Sequence, residues 1–189
     1  SAAHRDVVQA TVFDEVLLPK KYRPLLPRMI MAIGAACRAV PEANAWLRNE
    51  KLILHPQLHL GLAVDTPHGL LVPVLPDAGN RGLDELAAMI KTAVADAREQ
   101  RLPPGAARGA TLTLSSYGGL GGGHATPLVM PPQVMIVGVG AIRKEYVLSR
   151  KGKVRKQRRL PLSLSFDHRA LTGGEVIRFL QALKSALTP

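Results

Sequence analysis

Apolar and polar positions change period several times along the chain, and each change marks an element. From 160 to 166, Leu160, Leu162, Leu164 and Phe166 alternate with Pro161, Ser163 and Ser165, the period-two pattern of a strand with one face buried. The period then becomes helical: Val176, Ile177, Leu180, Leu183 and Leu187 recur at that spacing. Thr172 and Glu175 just ahead of them form a capping-box pattern, in which each side chain bonds the other's orphan backbone amide. Asp167, His168 and Arg169 therefore fall on a tight connection between a strand and a helix N-terminus.

The rest of the chain reads the same way. Residues 7–18 predict an opening strand, broken by Pro19 and Pro24. Leu26, Met29, Ile30, Ile33, Cys37 and Val40 predict a helix that Pro41 ends, and Trp46 falls in a short connecting stretch. Leu58, Leu60, Leu62 and Val64 alternate, residues 65–69 are turn chemistry, and a strand resumes over 70–75, so this pair predicts a hairpin. After a loop at 77–82, the stripe Leu83, Leu86, Ile90, Val94 and Ala97 predicts a helix of about sixteen residues. Thr111 to Ser115 alternates as a strand and runs into a loop with five glycines. The near-continuous apolar run from Gln133 to Gly140 reads as a buried central strand, and Tyr146 to Val154 as a basic hairpin with its tip at Lys151, Gly152 and Lys153. The whole predicts one α+β domain over 1–189, a mixed sheet packed against about three helices.

Charge narrows the partners. The net charge is +11, and residues 150–159 hold seven basic residues and no acid, which leaves only +4 for everything else. Without interleaved aromatics to stack on bases, that run reads as a solvated hairpin or a patch for an acidic partner or anionic cofactor, with nucleic acid the lesser alternative. Arg28 and Arg38 interrupt the best apolar run and no signal peptide opens the chain, so a soluble protein with no membrane partner is expected. The one cysteine, Cys37, sits on the apolar side of a predicted helix, which suggests a buried small side chain rather than a nucleophile.

Several chemistries are excluded by spacing. The glycine loop lacks the Gly-Lys-Ser/Thr of a phosphate loop, and its third dinucleotide-fingerprint glycine would be His124. Ser115 leads into glycines rather than a helix, unlike a nucleophile elbow. The loop reads instead as a tight backbone path past a neighbour or ligand. No metal site is expected, since no His, Cys and Asp cluster has zinc spacing, and no paired carboxylates mark a hydrolase. His68 has only turn company and reads as structural or exposed. His168 stands apart through its place between strand and helix, while Thr172 already has a capping job worth about 1 kcal/mol.

The segment 160–174 closely resembles the D-H-R-x-x-D/N-G signature of the catalytic domain of 2-oxo acid dehydrogenase dihydrolipoamide acyltransferases. Other blocks agree in order: 60–74 is similar to G-I-A-V-D-T-P-x-G-L-x-V-P-V, Thr111 to Gly118 to T-x-S-N/S-x-G, and Pro127 to Val134 to P-x-x-x-P-P-E-V. The resemblance implies a chloramphenicol acetyltransferase-like fold, a homotrimer with active sites between subunits, and a larger cage built from trimers. His168 would be the general base that takes a thiol proton, and Ser115 of another subunit would donate to the oxyanion of the tetrahedral intermediate. Asp167 and Arg169 would hold the turn. Coenzyme A would be a substrate, with the lipoyl group supplied by a lipoyl domain outside this chain. Partners would be lipoyl domains and the decarboxylase and dihydrolipoamide dehydrogenase components, in the bacterial cytoplasm or, for a eukaryote, the mitochondrial matrix.

Three departures accompany the resemblance. Thr172 stands where most members have Asp or Asn, a side chain that supports the site and does not accept the proton. The region between Glu15 and Met29 is shorter than the family's. No Asp-Lys-Ala lipoyl-attachment tripeptide and no Pro/Ala-rich linker is found, which suggests a catalytic core without lipoyl or subunit-binding domains. The alternatives are an inactive acyltransferase-like scaffold and, last, a nucleic-acid binder. The acyl group, acetyl or branched-chain, and the size of the cage are left open.

Overall fold

A computed structural model describes residues 7–149 and 152–188. The elements run in the order β1 (Gln9–Leu17), α1 (Leu25–Ala39), β2 (Ala45–Arg48), β3 (Lys51–Leu54), β4 (Leu60–Thr66), β5 (Gly69–Leu71), β6 (Val74–Leu75), α2 (Leu83–Arg98), β7 (Leu112–Ser116), β8 (Met135–Val139), β9 (Arg143–Leu148), β10 (Val154–Asp167) and α3 (Gly173–Leu187). Strands β1, β10, β8, β7, β4 and β5 lie side by side, β6 pairs with β4 and β9 with β10, and β2 and β3 form a separate hairpin. The β4–β7 and β7–β8 pairs are parallel and the other pairs antiparallel, so the sheet is mixed, as expected.

The two faces of this sheet are covered by different material. One face carries Leu160, Leu162, Leu164 and Phe166 of β10, Met135 and Val137 of β8 and Leu112 and Leu114 of β7. These join Met29, Ile30 and Ile33 of α1 and Phe179, Leu180 and Leu183 of α3 in a single buried cluster. The other face carries Thr11, Ser163, Ser165, Gly138, Thr113 and Ser115. A parallel pair needs a long crossover. Between β4 and β7 that crossover contains α2, whereas between β7 and β8 it is the Gly- and Pro-rich segment 117–134, which lies across the polar face.

The structure corrects several local expectations. β10 is not a strand with one buried face: Pro161, Ser163 and Ser165 are as buried as the leucines, because β10 lies between β1 and β8 with the crossover above it. Ser163 and Ser165 are satisfied there by Tyr117 and Thr11, at 2.9 and 2.8 Å. Trp46 lies in β2, not in a connection; its hairpin turns at Asn49 and Glu50, both left-handed with φ of 49° and 61°, and its indole N–H donates to Ala110 O at 2.8 Å. The 70–75 strand is interrupted at Pro73 into β5 and β6. Ile177 is 41% exposed and Phe179 takes its place in the core. The basic hairpin begins at Arg143, earlier than Tyr146; Arg150 and Lys151 at its tip lie outside the described residues. β8 is the fully buried central strand that its apolar run predicted, and Cys37 is buried, its thiol pushed up to about 12 by burial, which removes it as a nucleophile. Among the described residues no helix is long and apolar enough to cross a membrane.

Candidate active site

His168 is carried past the end of β10 by a turn that side chains hold in place. Asp167 is 2% exposed, and its carboxylate accepts the Arg169 guanidinium through Nη2 at 2.6 Å and Nε at 3.0 and 3.2 Å. The Arg169 backbone N–H also donates to this carboxylate, at 3.0 Å. Burial alone would push this carboxyl up, but the Arg169 hydrogen bonds and charge outweigh it and hold it below the ordinary aspartate value. Backbone N–H groups of Ala170 and Leu171 both donate to Asp167 O at 3.0 Å, and His168 N–H donates to Val8 O at 2.7 Å. The imidazole is exposed and tilts against Phe166 at a ring distance of 5.4 Å.

The helix start is equally specified. Thr172 Oγ1 accepts the Glu175 N–H at 3.3 Å and donates to Glu175 Oε2 at 2.7 Å, and the same carboxylate oxygen accepts the Thr172 N–H at 2.7 Å. These contacts with Thr172 lower the Glu175 carboxyl. The Thr172 hydroxyl is thus occupied by the cap. Beside the turn opens a cavity of about 700 Å³, lined by Leu47, Asn49, Pro132, Gln133, Asp167 and Arg169 among others.

Ser115 lies elsewhere. It is half-buried near the C-terminal end of β7 and makes no hydrogen bond through its hydroxyl among the described residues. The register sets Ser115 opposite Gly138 of β8, and Gly138 opposite Ser163 of β10. His168 comes five residues after Ser163. At about 3.3 Å per residue along a strand and about 4.8 Å between strands, Ser115 and His168 of one chain are about 20 Å apart. A base and an oxyanion donor must each come within about 3 Å of one reacting thioester. One chain therefore cannot bring the two together on a single substrate without dismantling its sheet.

Sequence reasoning passed over the residues that shape the Ser115 end. Gly140 touches Gly123 O and Gly118 touches Gly140 O so closely that neither has room for a side chain, which is the close backbone path the glycine loop was expected to take. Tyr117 spans the polar face to Ser163. The local signal for this arrangement is the pair Gly138, inside the otherwise apolar β8, and Gly140, just past its end. His124 rests on Phe13 with its Nε2 3.2 Å from Asp14 O. His68 is exposed in the β4–β5 turn.

Comparison with known proteins places this geometry. The family model for the 2-oxoacid dehydrogenases acyltransferase catalytic domain matches residues 11–189. The dihydrolipoyllysine-residue acetyltransferase component of the acetoin cleaving system of Bacillus subtilis is 40% identical over 80% of this chain and 38% of its own length. The chain spans well under half the length of the curated relatives it matches. Among solved structures, the Azotobacter vinelandii dihydrolipoamide acetyltransferase is 30% identical with a TM-score of 0.90, over 98% of this chain and 84% of that one. That structure was used to study a serine, a histidine and an asparagine in the enzyme's catalytic mechanism. The cubic core of a pyruvate dehydrogenase multienzyme complex is 32% identical with a TM-score of 0.89, over 98% of this chain and 84% of that one. Chloramphenicol acetyltransferase shares the fold, with 13% identity and a TM-score of 0.61 over 95% of this chain and 88% of that one.

Proposed function

The chain belongs to the family of 2-oxoacid dehydrogenase acyltransferase catalytic domains, and on that premise we propose that it transfers an acyl group between dihydrolipoamide and coenzyme A at sites shared by two subunits of a trimer. Acetyl is the favoured acyl group, since the related proteins are acetyltransferases of pyruvate dehydrogenase and acetoin systems. His168 takes the proton from the attacking thiol, and the thiolate adds to the thioester carbonyl. Ser115 of the neighbouring subunit donates its hydroxyl to the resulting oxyanion. Collapse of the tetrahedral intermediate expels the second thiolate, which recovers the proton from the imidazolium, so the base ends as it began.

The single observation that carries this reading is the separation of Ser115 from His168 within one chain. Each end offers half of a site: an exposed imidazole beside a cavity, and a half-buried hydroxyl with no partner among the described residues. A three-fold assembly closes the gap if the Ser115 end of one subunit meets the His168 end of the next. Asp167 and Arg169 hold the turn and take no part in proton transfer. Larger cages follow from the same kinship, as in the cubic core, and service by lipoyl domains, a decarboxylase and dihydrolipoamide dehydrogenase belongs to the same proposal. The lipoyl domain would be supplied from outside residues 1–189. The bacterial sources of the relatives point to the cytoplasm.

The histidine and asparagine studied in the Azotobacter enzyme stand four residues apart, the spacing of His168 and Thr172. An inactive scaffold is the second reading, and Thr172 favours it, because its hydroxyl is taken by Glu175 and lacks an amide's extra donors. The assay is acetyl transfer from acetyl-coenzyme A to dihydrolipoamide by purified protein. Transfer that disappears in His168→Ala supports the enzyme; a trimer with no transfer in the wild type selects the scaffold.

A further inference from the structure

We infer that Tyr117 is the positioning residue for the Ser115 hydroxyl, an inference that rests on the reaction proposed above. On the polar face of the sheet, Thr11, Thr113, Ser163 and Ser165 each have a side-chain partner, at 2.7 to 2.9 Å. Ser115 on the same face has none among the described residues. A half-buried hydroxyl next to satisfied neighbours keeps its donor for something outside the fold, and what surrounds it decides where that donor points.

Tyr117 supplies those surroundings. It follows Ser115 by two residues, just past the end of β7, and its backbone N–H still donates to Val139 O at 3.1 Å. The ring lies over Gly138, the cross-strand neighbour of Ser115: a methyl at Gly138 would sit 3.0 Å from the ring carbon Cε1 and from the phenol oxygen. The phenol reaches Ser163 Oγ at 2.9 Å. Ala125 N–H donates to the phenol oxygen at 3.1 Å and to Ser163 Oγ at 3.3 Å. In the row Ser115, Gly138, Ser163, the aromatic ring therefore fills the middle place and walls Ser115 off from β10. Gly122 packs on the ring from the other side.

The same side chain anchors the loop. Five glycines between 118 and 123 leave it few side chains with which to pack. Its backbone is held by Gly122 O accepting from Ala141 N–H at 2.7 Å, and its far end, at Ala125, by the phenol. Without the phenol's bonds the ring loses its fixed tilt, and the wall beside Ser115 and the loop above it loosen together. Gly138 has a matching reason to lack a side chain, since any Cβ there would displace the ring.

The test is a double-mutant cycle on the assembled protein, with Tyr117→Phe, Ser115→Ala and the double variant assayed for kcat and KM. Tyr117→Phe is expected to lower kcat about tenfold, the scale of one or two lost hydrogen bonds, with KM little changed. In the Ser115→Ala background the same substitution is expected to cost nothing further. An equal loss in both backgrounds would mean that Tyr117 acts on stability or on another group, and would overturn the inference. A crystal structure of Tyr117→Ala decides the matter without turnover: the Ser115 side chain is expected in a new rotamer with residues 118–124 displaced, and an unchanged Ser115 contradicts the inference. A wild type with no transfer activity would instead remove the proposed reaction, leaving the crystallographic result to judge Tyr117.

Discussion

At the His168 end of the sheet, side chains hold the backbone. The Asp167 carboxylate collects the Arg169 fork and an amide, and Thr172 and Glu175 close the first turn of α3 on each other. At the Ser115 end the backbone mostly holds itself, with Gly118, Gly122, Gly123 and Gly140 in contact and Tyr117 the chief side-chain anchor. A turn built from side chains is weakened by taking atoms away. A turn built from bare backbone is broken by adding them. The difference suits the proposed roles: a base must be fixed in place, while an oxyanion donor needs open space for the substrate beside it.

Substitutions at the two ends sharpen that contrast, and the largest effects belong to the two groups proposed to touch substrate. His168→Ala is expected to lower transfer by about 10²–10⁴, and Ser115→Ala by about 10²–10³, both with unchanged thermal midpoints, checked by steady-state kinetics and calorimetry. A loss of stability in either would place it in the fold rather than in the chemistry. Gly140→Ala adds a single methyl against Gly123 O and is expected to destabilise by about 3 kcal/mol, the upper range for overpacking, measurable by chemical denaturation.

Asp167→Asn subtracts instead, and is expected to cost about 2 kcal/mol near neutral pH through the lost charged hydrogen bonds. The sign with pH follows from the depressed carboxyl. A group whose folded pKa lies below its unfolded one stabilises fully above the unfolded value, and that contribution is lost as pH falls through the folded value. Denaturation of wild type and Asp167→Asn should therefore converge in acid; a difference that persists unchanged there would assign the effect to packing. Thr172→Ala removes the cap and is expected to cost about 1 kcal/mol, while Thr172→Asn, also a good cap, should restore most of it. Activity that rises in Thr172→Asn without a change in stability would give position 172 a part in the chemistry.

The same contrast governs how much was legible beforehand. The capping box at Thr172 and Glu175 and the α3 stripe were readable because their partners lie within a few residues. The exception, Ile177, sat beside Val176 at a spacing that serves two faces of a helix equally well. Alternation through Ser163 and Ser165 predicts a strand with one face buried, since it cannot reveal a cover that comes from elsewhere: Ser163 is met by Tyr117, 46 residues away, and Ser165 by Thr11, 154 residues away. The β2–β3 hairpin escaped because its left-handed turn is made by Asn49 and Glu50 without a glycine. Ser115 carries no local sign of function at all. Its candidacy came from resemblance, and only the register showed that it lies far from His168 in its own chain.

That separation is tested most directly by mixing subunits. Ser115→Ala and His168→Ala subunits, each inactive alone, are co-expressed at equal levels and the assembled trimers assayed for transfer. If every site takes Ser115 from one subunit and His168 from the next, each mixed trimer regains one intact site, and random mixing predicts about a quarter of wild-type activity. If both groups act within one chain, the mixture stays as inactive as its parents, and the shared site is contradicted.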